Sequence, residues 1–146
     1  MSDPAEPLFL DLDQFFQGQG IQLIEVALRT VRGNTSVHIV LTSSSGLGID
    51  DLSKVHRSVV PKLESILQTE ELSVELSTPG LERNLKYWRE LTFFQGKKVR
   101  LLIQGESEWR EGMITQVTGE ELSWQPSSGP EVLLAAQILK AKLHDL

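Results

Sequence analysis

The chain has 146 residues, of which 40% are hydrophobic and 23% charged, a balance that suits a globular fold and leaves little room for long disorder. That length permits one compact domain or two small ones. A formal net charge of −6 weighs against nucleic-acid binding by the surface as a whole, and the lack of cysteine excludes disulfides, thiolate metal sites and cysteine nucleophiles together.

The opening, MSDPAEPLFLDLDQFF, carries neither a basic leader nor an uninterrupted apolar core, so it does not read as a signal peptide. No apolar run approaches the roughly 18–20 residues that span a bilayer. A cytoplasmic protein without membrane association is expected. Leu8, Leu12, Phe15 and Phe16 fall at helical spacing, and Gly18 and Gly20 stop the segment, which predicts a short amphipathic helix. In IQLIEVALRTV, Ile24, Val26 and Leu28 share one face at period two. RGNTS follows as a turn, with Gly33 and Asn34 able to take positive φ, and the return strand SVHIVLT sets Val37, Ile39 and Leu41 on one face.

SSSGLGID reads as a loop in which Asp50 caps the next helix and Asp51 favours its positive end. Leu52, Val55, Val59, Leu63, Ile66 and Leu67 form that helix's apolar stripe. Pro61 lies inside it, removing a hydrogen bond and clashing with the preceding turn, so a kink or two shorter helices are expected. LSVEL supplies a third strand through Leu72, Val74 and Leu76. The first part of the chain therefore reads α-β-β-α-β, with two helices on one face of a small sheet.

After Pro79-Gly80 the character changes. Trp88, Leu91 and Phe94 mark a short helix ending at Gly96, and KKVRLLI, WREGMITQVT, ELSW and EVLLA read as short strands separated by turn signals. This pattern suggests a small SH3-like barrel, with Trp109, Met113 and Trp124 helping to fill it. The fold class is α+β: an α-β-β-α-β two-layer domain over 1–86, ending in the PGLERNL hinge, and a barrel domain over 87–146. Monomer is the default, since no apolar seam is evident.

Catalysis needs an assembled nucleophile, acid, base or metal. His38, His56 and His144 show no metal-ligand spacing, and read as surface or half-buried side chains. Amides of the Ser43–Gly48 loop can in principle hold a phosphate ahead of a helix, but the loop lacks the lysine of a P-loop and the third glycine of a dinucleotide fingerprint. A flexible connection is the simpler account. No catalytic residue, metal site or cofactor is expected, and the protein is not expected to be an enzyme.

The positive charge forms an island. Residues 83–100 hold Arg83, Lys86, Arg89, Lys97, Lys98 and Arg100 against Glu90 alone, a net of +5, which leaves −11 for the remainder. Lys98 and Arg100 alternate with Val99 and Leu101, so both leave one face of a strand. Arg83, Lys86 and Arg89 precede them at three-residue intervals and extend that face into a stripe able to meet phosphates, with salt-dependent binding. The competing reading is a solvated stretch that keeps the hinge soluble.

The run STPGLERNL, followed by a short helix and GKKVRLLI, resembles the signature of the bacterial ribosome maturation factor RimP family, close to S-S-P-G-L-D-R-P-L with G-K/R-x-V a little further on. GIDDLSKVHRSVVPKLE is similar to that family's helix after the second strand. The ending QILKAKL resembles its I-x-K-A-x-L motif through Ile138, Lys140, Ala141 and Leu143. Glu82 stands where Asp is usual, Asn84 where Pro is usual, and Thr42 where Asp is frequent. The resemblance implies an α/β domain followed by an SH3-like barrel, no cofactor and no catalytic residue. It also implies a role in ribosome biogenesis: binding the immature small (30S) ribosomal subunit, promoting its maturation and leaving, with ribosomal RNA and a ribosomal protein of the decoding region as partners. On this reading Pro79, Gly80, Leu81 and Leu85 form the structural hinge. Pro79 ends the strand, Gly80 permits a turn that a side chain would obstruct, and Leu81 and Leu85 pack down while Arg83 and Lys86 face out. A salt bridge from Arg83 to Glu75 or Glu82 is the alternative for that side chain.

Overall fold

The computed structural model describes residues 1–145, divided between a unit of Ala5–Pro79 and a unit of Met1–Pro4 with Gly80 onward. In the first unit, α1 (Pro7–Gln17) begins on a proline whose fixed φ suits the first helical position. Its buried stripe is Phe9, Leu12 and Phe16, whereas Leu8 and Phe15 are only half-buried. Strands β1 (Gln22–Val31) and β2 (Asn34–Thr42) form the expected antiparallel hairpin. A bulge between Leu23 and Glu25 breaks the even alternation assumed for β1. Leu23 and Ile24 are therefore both buried, Val26 is half-buried, and Leu28 is 51% exposed at the far end of the hairpin. The turn also lies one residue earlier than its glycine suggested. Arg32 and Gly33 take the positive φ angles, 52° and 82°, and Asn34 already belongs to β2.

Helix α2 runs unbroken over Ile49–Leu67, so Pro61 does not divide it. Pro61 and Arg57, whose carbonyl loses its partner, both lie on the exposed face where water can serve it, while Val55, Val59 and Leu63 anchor the helix in the core. Its N-terminus is organised differently from the expectation. Gly48 is the N-cap, and Asp51 rather than Asp50 does the capping, accepting the Gly48 N–H at 2.9 Å. Strand β3 (Leu72–Ser77) lies parallel to β2, which requires the crossover that α2 provides, and the sheet order is β1-β2-β3. His56 Nε2 lies 3.0 Å from the Val74 carbonyl, tying α2 to β3.

In the second unit, β4 (Asn84–Leu85) and α3 (Trp88–Phe93) precede the strands β5 (Lys98–Ile103), β6 (Arg110–Val117), β7 (Glu121–Pro126) and β8 (Glu131–Leu134). A 3-10 turn (Ala135–Gln137) leads into β9 (Ile138–Leu143), and the six strands are ordered β4-β9-β5-β6-β7-β8. Alternation in β5 sends Val99, Leu101 and Ile103 into a core completed by Leu91, Ile114, Leu122 and Trp124. Gly112 is required beneath Trp124: a Cβ there would lie 2.7 Å from the indole Cε3. Trp109 and Met113 do not fill this core as expected. They are 43% and 40% exposed, because both stand on the outward alternation of the chain through β6.

The segment after Pro79 zips onto the C-terminal strand. Asp145 N–H donates to Leu81 O, Leu143 N–H donates to Arg83 O, and Leu85 pairs with Ala141. Leu85 is buried, but Leu81 is 57% exposed and does not pack down. Gly80 is not sterically demanded either, since an added Cβ meets nothing within 4 Å and its φ is not left-handed. The first residues of the chain join this unit: Ser2 O accepts the Trp88 N–H, and Asp3 Oδ1 accepts the Arg89 N–H at the start of α3.

Candidate nucleic-acid interface

The outer face of the second sheet is assembled from four strands by register. Opposed residues in an antiparallel ladder point to the same side. Arg100 on β5 faces Lys142 on β9 and Glu111 on β6, Lys142 in turn faces Asn84 on β4, and Lys98 faces Met113. Lys140 opposes Leu102 one step along. Two residues from the expected basic stripe, Lys98 and Arg100, thus meet two that sequence reasoning did not select, Lys140 and Lys142. A signal for them existed: K-A-K-L has the same inward and outward alternation as K-V-R-L. As part of a closing motif the run carries no strand expectation, so β9 lies outside the strands that the pattern predicts.

The cations here are lightly engaged. Arg100 Nε lies 3.8 Å from Glu111 Oε2, both side chains being exposed by more than a third, and His144 Nε2 lies 3.5 Å from the other oxygen of Glu111. Lys97 Nζ lies 3.2 Å from Asp145 Oδ2, also at the surface. Exposed pairs of this kind contribute about 0–1 kcal/mol, so these cations are held only weakly by their own acids.

Arg83, Lys86 and Arg89 are not arranged as one outward stripe. Arg83 turns inward, against the expectation that it faces out: its Nε lies 2.7 Å from Glu90 Oε1, with the two side chains 12% and 0% exposed. The salt bridge raised as the alternative therefore exists, with Glu90 as its acid instead of Glu75 or Glu82. Glu90 Oε2 also accepts the backbone N–H of Lys86 and of Tyr87, at 2.7 and 2.8 Å. The Lys86 ammonium is exposed, 5.8 Å from the centre of the Tyr87 ring. The half-buried Arg89 guanidinium stands 5.2 Å from the Phe93 ring.

Arg110 is a structural cation. It lies over the Trp124 ring at 5.4 Å and hydrogen-bonds Glu131 through both terminal nitrogens, with Ser128 joining the group. The bond from Arg110 holds the Glu131 carboxyl below the ordinary range, against the opposing effect of burial, and Ser128 assists. Elsewhere, His38 Nε2 lies 2.8 Å from Ser77 Oγ, and in the serine loop the Gly46 N–H is taken by Ser43 O. Among the described residues no three His, Asp or Glu side chains converge as a metal site, and no helix is long and apolar enough to cross a membrane.

The class defined by this geometry is a mixed α+β protein of two units, one of which presents a cationic sheet face. Comparison with known proteins is more specific. The RimP N-terminal domain family matches residues 12–82. Proteins named ribosome maturation factor RimP from Borrelia hermsii and Borrelia recurrentis are each 32% identical to it over 124 residues, covering 85% of this chain and 85% of theirs. The one from Borreliella burgdorferi is 30% identical and covers 84% of this chain and 83% of its own. The chain belongs to the ribosome maturation factor RimP family.

Proposed function

We propose that this protein is a non-catalytic ribosome assembly factor that binds the immature small (30S) ribosomal subunit and promotes its maturation. The observation that carries the proposal is the collection of Lys98, Arg100, Lys140 and Lys142 on one sheet face of a chain whose net charge is −6. Segregated charge of this kind lets a protein approach a phosphate backbone on one side and repel it elsewhere. The family relationship supplies the context of ribosome maturation. The acidic remainder suits a basic ribosomal protein, here one of the decoding region, so the partners are ribosomal RNA and that protein. The protein acts in the cytoplasm as a monomer without a cofactor. Lys97, Lys86 and Arg89 are further contacts to the particle on this reading, and Arg83 contributes through the shape of the turn. The second unit is read as an SH3-like small barrel, a reading supported by a meander from β5 to β8, a 3-10 turn and a last strand that returns to pair with β5.

The test is co-sedimentation of the purified protein with separated subunits and intact ribosomes at low and high salt. Binding confined to the small subunit, weakened by salt and lost in the double variant Lys98→Glu/Arg100→Glu, is the expected result. Sedimentation with no particle, or indifference to charge reversal, would overturn the proposal.

A further inference from the structure

Trp109 is the one tryptophan that the fold leaves out. Trp88 and Trp124 are 7% and 1% exposed, whereas Trp109 is 43% exposed. It stands between two depressions on the cationic face. One, of about 740 Å³, is bordered by Trp109, Lys98, Met113 and Gln125. The other, of about 410 Å³, is bordered by Trp109, Asn84, Arg100, Glu111 and Lys142. Trp109 and Glu111 thus border both hollows, and each hollow also has a cation of the face in its lining.

An exposed indole among lysines and an arginine, on a sheet face, has the chemistry of a base-stacking platform: ring faces accept bases of any sequence while cations follow the phosphates. We propose that this face binds a single-stranded RNA segment, with Trp109 stacking on an unpaired base and Lys98, Arg100 and Lys142 holding the phosphates on either side. The choice of an unpaired strand follows from stacking, since bases inside a duplex offer no free ring face. The choice of a polyanion follows from charge, because Glu111 is the single acid in the ladder rows that hold those cations. The proposal rests on the ribosomal reading above and deepens it by naming the form of RNA and the residue that recognises it.

The test uses two probes on the full chain: a single-stranded oligouridylate of about eight nucleotides, and inorganic polyphosphate of similar charge as a polyanion without bases. Oligouridylate is expected to quench the tryptophan fluorescence of the wild type, and not that of Trp109→Phe, whose remaining indoles are buried. Trp109→Ala is expected to weaken oligouridylate binding about tenfold while leaving polyphosphate binding unchanged, and Trp109→Phe to retain most of it. Lys98→Glu/Arg100→Glu is expected to weaken both probes. Equal affinity of Trp109→Ala and wild type for oligouridylate, or an equal loss towards both probes, would overturn the stacking role. If wild type binds no oligouridylate yet still sediments with the small subunit through Lys98 and Arg100, the stacking proposal fails and the assembly reading stands. Failure of both experiments removes both.

Discussion

At Glu90 a fully buried carboxylate receives the Arg83 guanidinium and the backbone amides of Lys86 and Tyr87. Three residues of the turn are thereby ordered around one anion, and the positive charge of Arg83 is spent on structure before any partner arrives. Removing one member of a buried ion pair leaves the other poorly solvated, at a cost of about 3–5 kcal/mol. Arg83→Met is therefore expected to lower the unfolding free energy by that order in urea denaturation, and a loss below about 1 kcal/mol would show the pair to be dispensable. Sequence spacing does not reveal this arrangement. Arg83 and Glu90 are seven positions apart, and their meeting depends on how the chain turns between β4 and α3. The same holds for Trp109: it lies just before β6 and continues the outward alternation of Glu111 and Met113, while its apolar character suggested a core residue. Lys98 and Arg100 were legible because strict alternation inside one strand fixes their side.

Among the elements, the hairpin of β1 and β2 shows how a local rule can be met in part. Both central turn residues have positive φ, the geometry in which Asn-Gly is preferred, yet the first is Arg32. A side chain in the left-handed region costs about 1–2 kcal/mol, less for asparagine, whose side chain bonds locally. Arg32→Asn is accordingly expected to raise stability by about 0.5–1 kcal/mol, seen as a higher thermal midpoint. An unchanged or lower midpoint would mean that the arginine is compensated elsewhere. Periodicity located α1, α2, α3, the hairpin, β3 and the strands β5 to β8, because each carries its own pattern. It did not locate β4, which is two residues long and exists only through pairing with β9. It overstated the effect of Pro61, since burial of Val55, Val59 and Leu63 outweighs one lost hydrogen bond on a solvated face.

For the molecule as a whole, the distribution of charge matters more than its sum. Lys140 and Lys142 come from the C-terminal strand, some forty positions from Lys98 and Arg100, and reach the same face only through the pairing of β9 with β5. If the proposed small-subunit binding holds, reversing both, Lys140→Glu/Lys142→Glu, is expected to impair it about as strongly as reversing Lys98 and Arg100, and to flatten its salt dependence. Undiminished sedimentation of this variant would confine the interface to β5 and its flanks. From the sequence alone came the α+β class, the change of character at Pro79-Gly80, the basic island and the family resemblance, because these rest on local periodicity, turn chemistry, composition and motif. Tertiary structure alone decided that Met1–Pro4 group with the unit from Gly80 onward, that Arg83 turns in to Glu90, and that Trp109 stands exposed beside Lys98, Arg100 and Lys142. Each depends on the path of a turn or on pairing between strands, and neither has a period that a linear sequence displays.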